Sequence, residues 1–142
     1  MRYVNQERIM KLVVLAALLG AALSARAETP EQILAVYETQ ARRQAPGFAG
    51  FSAARGERFF SMRQGAEWSC ASCHGAPPTA QGKHAKTGKV IAALAPIAGS
   101  QRFTDAAKAE KWFKRNCNDV LSRECTAQEK GDVLAYLLRV AR

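Results

Sequence analysis

The 142-residue chain has no methionine after Met62, two histidines in all, and no apolar run of bilayer length. Each shortage excludes something. The longest apolar stretch, Leu12 to Leu23, is about a dozen residues, short of the roughly 20 that a spanning helix needs. No segment alternates with strand period, no unit repeats, and no tract is of low complexity. A sheet-based or solenoid architecture is therefore not expected. Four cysteines include a single C-x-x-C pair, because Cys117 and Cys125 lie too far apart to form a second. A zinc site would lack half its usual ligands.

What is present centres on Cys70-Ala71-Ser72-Cys73-His74. Two thiols three positions apart, followed at once by histidine, are the signal for covalent attachment of a c-type haem. One short turn lets both sulfurs reach one edge of the porphyrin, and the adjacent imidazole comes up under the iron as proximal ligand. The same residues could form a thiol–disulfide redox pair, but the βαβ pattern that accompanies such pairs is missing. Half of a zinc site and a plain structural staple are the remaining readings.

Residues 1–27 have the layout of a cleaved signal peptide. Arg2, Arg8 and Lys11 make a basic start, the apolar run follows, and Ala25-Arg26-Ala27 is a small-x-small cleavage site. Either Met1 or Met10 could serve as the start. Cleavage before Glu28 removes 27 of the 142 residues, with four basic and one acidic among them, so the formal charge falls from +9 to +6. The expected location is the periplasm, and the expected assembly is a monomer. Residues 28–50 are expected to form an N-terminal helix and linker, and residues 51–142 a monohaem cytochrome c domain. A basic surface can simply be solvated while it offsets two haem propionates, or it can steer an acidic redox partner. Nucleic acid is not an expected partner of an exported chain.

The mature segment reads as all-α. Thr29 with Gln32 forms a capping box, with Pro30 in the first turn, for a helix to about Gln44 carrying Ile33, Leu34, Tyr37 and Ala41 on its apolar side. A second helix is expected from Ser52 to about Met62, with Gly56 and Phe60 on one face. Gly75, Pro77, Pro78, Gly82, Gly88 and Pro96 then leave no room for a long helix. Val90, Ile91, Leu94 and Ile97 are candidates for haem or core contact. Thr104 is expected to cap a third helix to about Asn116, with Trp112 and Phe113 inward. Thr126 and Glu129 form a capping box for a last helix carrying Val133, Leu134, Leu137 and Leu138.

The sixth ligand of the iron is the open question. Methionine is excluded by position, since Met62 precedes the attachment motif. His84 stands among Lys83, Lys86 and Lys89, as a solvated surface histidine or as a ligand. Cys117 and Cys125 are expected to pair in an exported chain, and closing that nine-residue loop contributes about 2.6 kcal/mol on the chain-entropy model. Asn116, four residues after Trp112 and three after Phe113, is a helix cap, a core polar group or a ligand.

The runs Trp68-Ser69-Cys70-Ala71-Ser72-Cys73-His74, Thr87-Gly88-Lys89, Arg102-Phe103-Thr104-Asp105 and Glu110-Lys111-Trp112-Phe113-Lys114-Arg115-Asn116-Cys117-Asn118 resemble the sphaeroides haem protein family. These are monohaem, oxygen-binding c-type cytochromes, also catalogued as a domain of unknown function. The likeness covers about Ser52 to Ala141. It implies a class I cytochrome c-like fold around one covalently bound haem c, with Cys70 and Cys73 attaching it and His74 as proximal ligand. It implies an asparagine sixth ligand at Asn116 and a disulfide matching Cys117–Cys125. It also implies O2, NO or CO as ligand, and a dihaem cytochrome c with a membrane cytochrome b behind it as electron donors. The leading expectation is thus an electron-accepting cytochrome whose asparagine ligand leaves on reduction. A six-coordinate electron carrier with His84 as ligand is the alternative, and a thiol–disulfide oxidoreductase the minor one. Catalytic turnover is not implied by any residue of the chain.

Overall fold

The end of the chain dictates its architecture, because the last helix is apolar on most of its surface and has to be covered. The computed structural model describes residues 27–63 and 67–142. The expected signal peptide lies outside the described residues but for Ala27. Among the described residues, α1 is Pro30–Gln44, α2 Ala53–Ser61, α3 Cys70–His74, α4 Ala106–Leu121 and α5 Ala127–Val140.

The helix starts follow local chemistry. Thr29 Oγ1 accepts the Gln32 amide at 3.2 Å while Gln32 Oε1 accepts the Thr29 amide at 2.8 Å, which satisfies two donors that helix geometry leaves free. Ser52 caps α2 through the Arg55 amide. Thr126 and Glu129 exchange the same pair of bonds at the start of α5, and Arg123 grips the Glu129 carboxylate with two nitrogens at 2.7 and 2.8 Å.

Helix α5 crosses both α1 and α2 closely. Val133, Leu134, Tyr136 and Leu137 are all buried on it. Leu134 packs with Ile33 and Tyr37 of α1, whereas Val133, Tyr136 and Leu137 enclose Phe60 of α2. Burial of a side chain the size of Phe60 contributes about 1.5–3 kcal/mol. The α2–α5 approach requires glycine, since a Cβ on Gly56 would stand 1.8 Å from the Asp132 carbonyl oxygen. Gly131, the residue before Asp132 on the partner helix, leaves the equivalent space to the ring of Phe51.

Two charged groups are buried in this junction, and both are paired. Asp132 accepts the Ser52 amide at 2.6 Å and two Arg55 nitrogens at 2.8 and 2.9 Å. Lys130 meets Glu110 of α4 at 2.6 Å and lies over the Tyr37 ring. Burial and the neighbouring Glu110 charge push the Tyr37 hydroxyl well above its ordinary range. In each pair the second partner is half exposed, so removing it would leave a buried charge unpaired.

Three expectations about the second half need correction. Asp105, not Thr104, caps α4 through the Lys108 amide at 2.9 Å, while the Thr104 hydroxyl turns back to the Gln101 carbonyl. The helix continues past Asn116 to Leu121 and ends where Ser122 takes a left-handed φ of 56°. No glycine or proline interrupts it earlier, and the following bridge to Cys125 lets the chain reverse outside the helix. Trp112 does not join the protein core: it is 46 % exposed, with the Arg115 guanidinium over its indole. Phe113 takes the inner position, edge-on to Tyr37 at 5.8 Å and beside Phe103 at 6.3 Å.

The stretch after His74 holds a short antiparallel ribbon that no strand-period pattern announced, β1 Gly82–Lys83 paired with β2 Val90–Ile91. Two-residue strands are too short to show a period. Val90 and Ile97 are exposed rather than packed inward, whereas Leu94 joins the cluster around Phe60.

Candidate haem-attachment site

The attachment helix α3 is one turn long and is fixed at both ends by its own residues. The Ser72 hydroxyl, inside the C-x-x-C loop, accepts the Ser69 amide at 3.0 Å. Gly75 ends the turn with a φ of 73°, which a glycine adopts freely, and returns its amide to the Ala71 carbonyl. The turn rests on the α2–α5 core: Cys70 and Ala71 pack against the Phe60 cluster. The Phe60 ring is 6.4 Å from the His74 imidazole, centroid to centroid.

The chain after His74 folds back against this turn. A Cβ at Gly82 would stand 2.0 Å from the Cys73 carbonyl oxygen, so the ribbon can lie on α3 only with glycine there. The Ala85 amide donates to Cys73 Sγ at 3.3 Å. Further on, the Pro78 carbonyl accepts the Leu94 and Ala95 amides. Arg102 then clamps the returning loop by donating to the Ala93 carbonyl at 3.0 Å and the Ala92 carbonyl at 2.9 Å.

Cys70 and Cys73 are free, half-buried thiols. Burial pushes the Cys70 thiol up to about 11, which makes it a poor thiolate and a poor redox nucleophile at neutral pH. Burial first, then the charges of Arg102 and His84, lower His74 to about 4, so its imidazole is neutral and available to a metal. Its Nδ1 is buried without a hydrogen-bond partner among the described residues.

His84 is half-buried rather than solvated. Its Nδ1 accepts the Lys86 and Thr87 amides at 3.2 and 3.3 Å, and its backbone brackets the tight turn to Lys89. That turn is the one fastened to Cys73, on the polypeptide that follows His74.

Asn116 is half-buried on α4, between exposed Trp112 and inward Phe113, and its side chain makes no hydrogen bond among the described residues. Asn118 instead donates to the Lys114 carbonyl on the outer face. Cys117 and Cys125, both buried, form the disulfide, with Cα atoms 5.7 Å apart. Phe113 packs against the same cluster as Cys70, so α3 and the Asn116-bearing helix lean on one apolar core. Among the described residues, helix α4 makes no backbone approach to another helix comparable to those of α5.

A haem fits this donor set. Two unpaired thiols and a neutral imidazole with a partnerless nitrogen share one turn, and that turn rests on the same apolar cluster as Phe113 of the Asn116-bearing helix. Sequence reasoning missed Ser72, Gly82 and Arg102 as the residues that hold this turn. All three left a trace, Ser72 inside the attachment motif, Gly82 among the helix breakers and Arg102 beside Phe103, but none was given this role.

The fold and the site together define a monohaem c-type cytochrome, with haem c attached at Cys70 and Cys73. The comparisons agree. A family described as a domain of unknown function, DUF1924, matches residues 46–137. The cytochrome c-type protein SHP of Cereibacter sphaeroides is 43 % identical over 131 residues, covering 89 % of this chain and 96 % of that protein. The structure of oxidized SHP, an oxygen-binding cytochrome c, superposes with a TM-score of 0.68 at 45 % identity, over 78 % of this chain and 96 % of that one. The solution structure of cytochrome c'' from Methylophilus methylotrophus, studied for haem-ligand detachment, gives 0.71 at 35 % identity, over 80 % and 94 %. The chain belongs to this SHP-like family and has its mostly helical, cytochrome c-like fold.

Proposed function

We propose that this chain is a periplasmic cytochrome that accepts electrons and, once reduced, binds a diatomic ligand at a position that Asn116 vacates. When bound, the haem supplies an iron that changes between ferric and ferrous and takes O2, NO or CO in the ferrous form. Cys70 and Cys73 tether the group, and His74 is its proximal ligand. The observation that carries the reading is Asn116: a half-buried amide with no hydrogen bond among the described residues, one turn from Phe113, which packs on the same cluster as Cys70.

An amide oxygen is a neutral, hard donor that suits ferric iron and holds softer ferrous iron poorly. After release, the Asn116 side chain has two N–H donors to offer an incoming ligand. The oxygen binding stated for SHP and the haem-ligand detachment studied in cytochrome c'' support this sequence of events. A histidine on one side and an amide on the other also favour a lower potential than a His/Met pair. The proposed donors are a dihaem cytochrome c with a membrane cytochrome b behind it. Cleavage before Glu28 would place the first mature residue at the head of α4, where the Glu28 carboxylate accepts the Ala106 amide. No described helix is long and apolar enough to cross a membrane.

The test is the absorption spectrum of the purified ferrous protein with and without CO. A high-spin spectrum that shifts on CO addition is expected. A low-spin ferrous spectrum indifferent to CO would replace this reading with a six-coordinate electron carrier.

A further inference from the structure

Tyr37 of α1, Glu110 of α4 and Lys130 of α5 meet in the core, and neither haem attachment nor ligand binding uses them. Tyr37 is 2 % exposed, and its hydroxyl has no hydrogen-bond partner among the described residues. The Lys130 ammonium takes Glu110 Oε1 at 2.6 Å and leaves Glu110 Oε2 buried, also without a partner. The Glu110 carboxylate is the charged group that acts on the Tyr37 hydroxyl. A phenol with a proton to give and a carboxylate oxygen free to receive it are therefore enclosed together. The Lys130 ammonium also stands 5.6 Å from the centre of the Tyr37 ring. A cation there disfavours positive charge on the ring, so Tyr37 can lose an electron only if its proton leaves with it.

Aromatic contact leads from this phenol towards the haem. The Tyr37 ring meets Phe113 edge-on at 5.8 Å between centroids, and Phe113 packs on the cluster that carries Cys70. Within residues 28–142 the one other tyrosine is Tyr136. It is better connected, 5.5 Å from Phe60, whose ring is 6.4 Å from the His74 imidazole. What it lacks is a base. Its neighbouring carboxylate, Glu57, is bound by Arg139 and acts on the hydroxyl only as a distant charge. Of the two tyrosines, Tyr37 is the one built to release an electron and a proton together.

We propose that Tyr37 is an internal electron donor that answers attack by a hydroperoxide on the ferric haem, sending its electron through Phe113 and its proton to Glu110. This rests on the reading that a weakly held Asn116 leaves the sixth position accessible. The step balances as follows. The peroxide O–O bond breaks; one oxygen leaves as alcohol or water with the peroxide's own hydrogen, and the other stays with the haem. Of the two electrons that the peroxide takes, one comes from the iron and one from Tyr37. The phenolic O–H bond breaks, and Glu110 Oε2 gains the proton. The electron supply of the haem later restores the phenol with that same proton. Burial keeps the oxidised ring away from solvent, so the oxidising equivalent is held in the core until it is reduced. A haem that handles O2 meets peroxide as the product of its partial reduction.

Mature ferric holoprotein is mixed with hydrogen peroxide, frozen rapidly and examined by electron paramagnetic resonance, with the Soret band recorded alongside. A tyrosyl signal is expected, and its hyperfine structure should collapse in protein grown on ring-deuterated tyrosine. Tyr37→Phe should abolish it. Glu110→Gln keeps the phenol and removes the base, and should lower the radical yield about tenfold. Tyr136→Phe should leave it nearly unchanged. The Soret band shows in each variant that the haem is attached and has reacted, so a lost radical is not mistaken for a lost haem. A tyrosyl signal that survives Tyr37→Phe, that disappears with Tyr136→Phe instead, or that ignores Glu110→Gln overturns the proposal. A Soret change with no tyrosyl signal overturns it too, while leaving the ligand-binding reading intact. A Soret band indifferent to peroxide, with a low-spin ferrous spectrum indifferent to CO, removes both.

Discussion

Gly56 and Asp132 meet backbone to backbone: a Cβ added to Gly56 would lie 1.8 Å from the Asp132 carbonyl oxygen and 2.4 Å from its carbon. The obstacle is main chain in the middle of α5, which cannot turn aside as a side chain could. Gly56→Ala should therefore force α2 off α5 and loosen the floor on which Cys70 and Ala71 rest. The helix-propensity gain of alanine, at most about 1 kcal/mol, is too small to compensate. A loss of about 3 kcal/mol or more in guanidinium unfolding is expected; an unchanged midpoint would refute the crossing geometry.

Glu129 provides a pH-dependent contribution with a defined sign. Its folded-state value is lowered: burial opposes this, but the Arg123 and Thr126 hydrogen bonds and the Arg123 charge outweigh it. A carboxylate lowered on folding contributes stability that is present above its unfolded value and is lost as pH falls through the folded one. Thermal unfolding of wild type and Glu129→Gln should differ most near pH 7, with wild type higher. The difference should begin to shrink as pH falls below about 4, and a gap that does not narrow at all as the pH is taken further down would contradict the assignment.

Cys117 and Cys125 are bonded across the end of α4. Non-reducing peptide mass mapping should find one linked pair, two hydrogens lighter than the free thiols. Replacing both by serine should lower stability by about 2–3 kcal/mol. The double variant should still attach haem, because Cys70 and Cys73 are held by Ser72, Gly75 and the Phe60 cluster instead.

How far the sequence alone could be read follows from which contacts were local. The caps at Thr29, Ser52 and Thr126 act within three residues, so the starts of α1, α2 and α5 were legible. The attachment motif was legible for the same reason. The extent of α4 was not, since Asn116, Asn118 and Asp119 are weak helix formers held there by a bridge eight positions on. Periodicity could not decide between adjacent Trp112 and Phe113, and Tyr37 on another helix chose Phe113. The half-burial of His84 was not legible because its turn is fixed by Cys73, from which Ala85 is twelve residues distant.

Asn116 and His84 are the two candidates for the sixth ligand, and their surroundings differ in kind. His84 already uses Nδ1 for the Lys86 and Thr87 amides, in a turn attached to Cys73 on the chain that follows His74. Pulling its imidazole round to a position across the iron from His74 would break those bonds and the Ala85 contact. The Asn116 side chain has no such bonds to lose among the described residues, and Cys117 anchors the helix turn that presents it. Asn116→Ala is therefore expected to open the ferric site to water or added anions, shifting the ferric Soret band and making it respond to cyanide or azide. Ferrous CO binding should survive, since on the proposed reading Asn116 leaves the iron on reduction. His84→Ala is expected to leave both spectra nearly unchanged, while loosening the Lys83–Lys89 turn. The opposite pattern, a ferric spectrum altered by His84→Ala and untouched by Asn116→Ala, would assign the sixth position to His84.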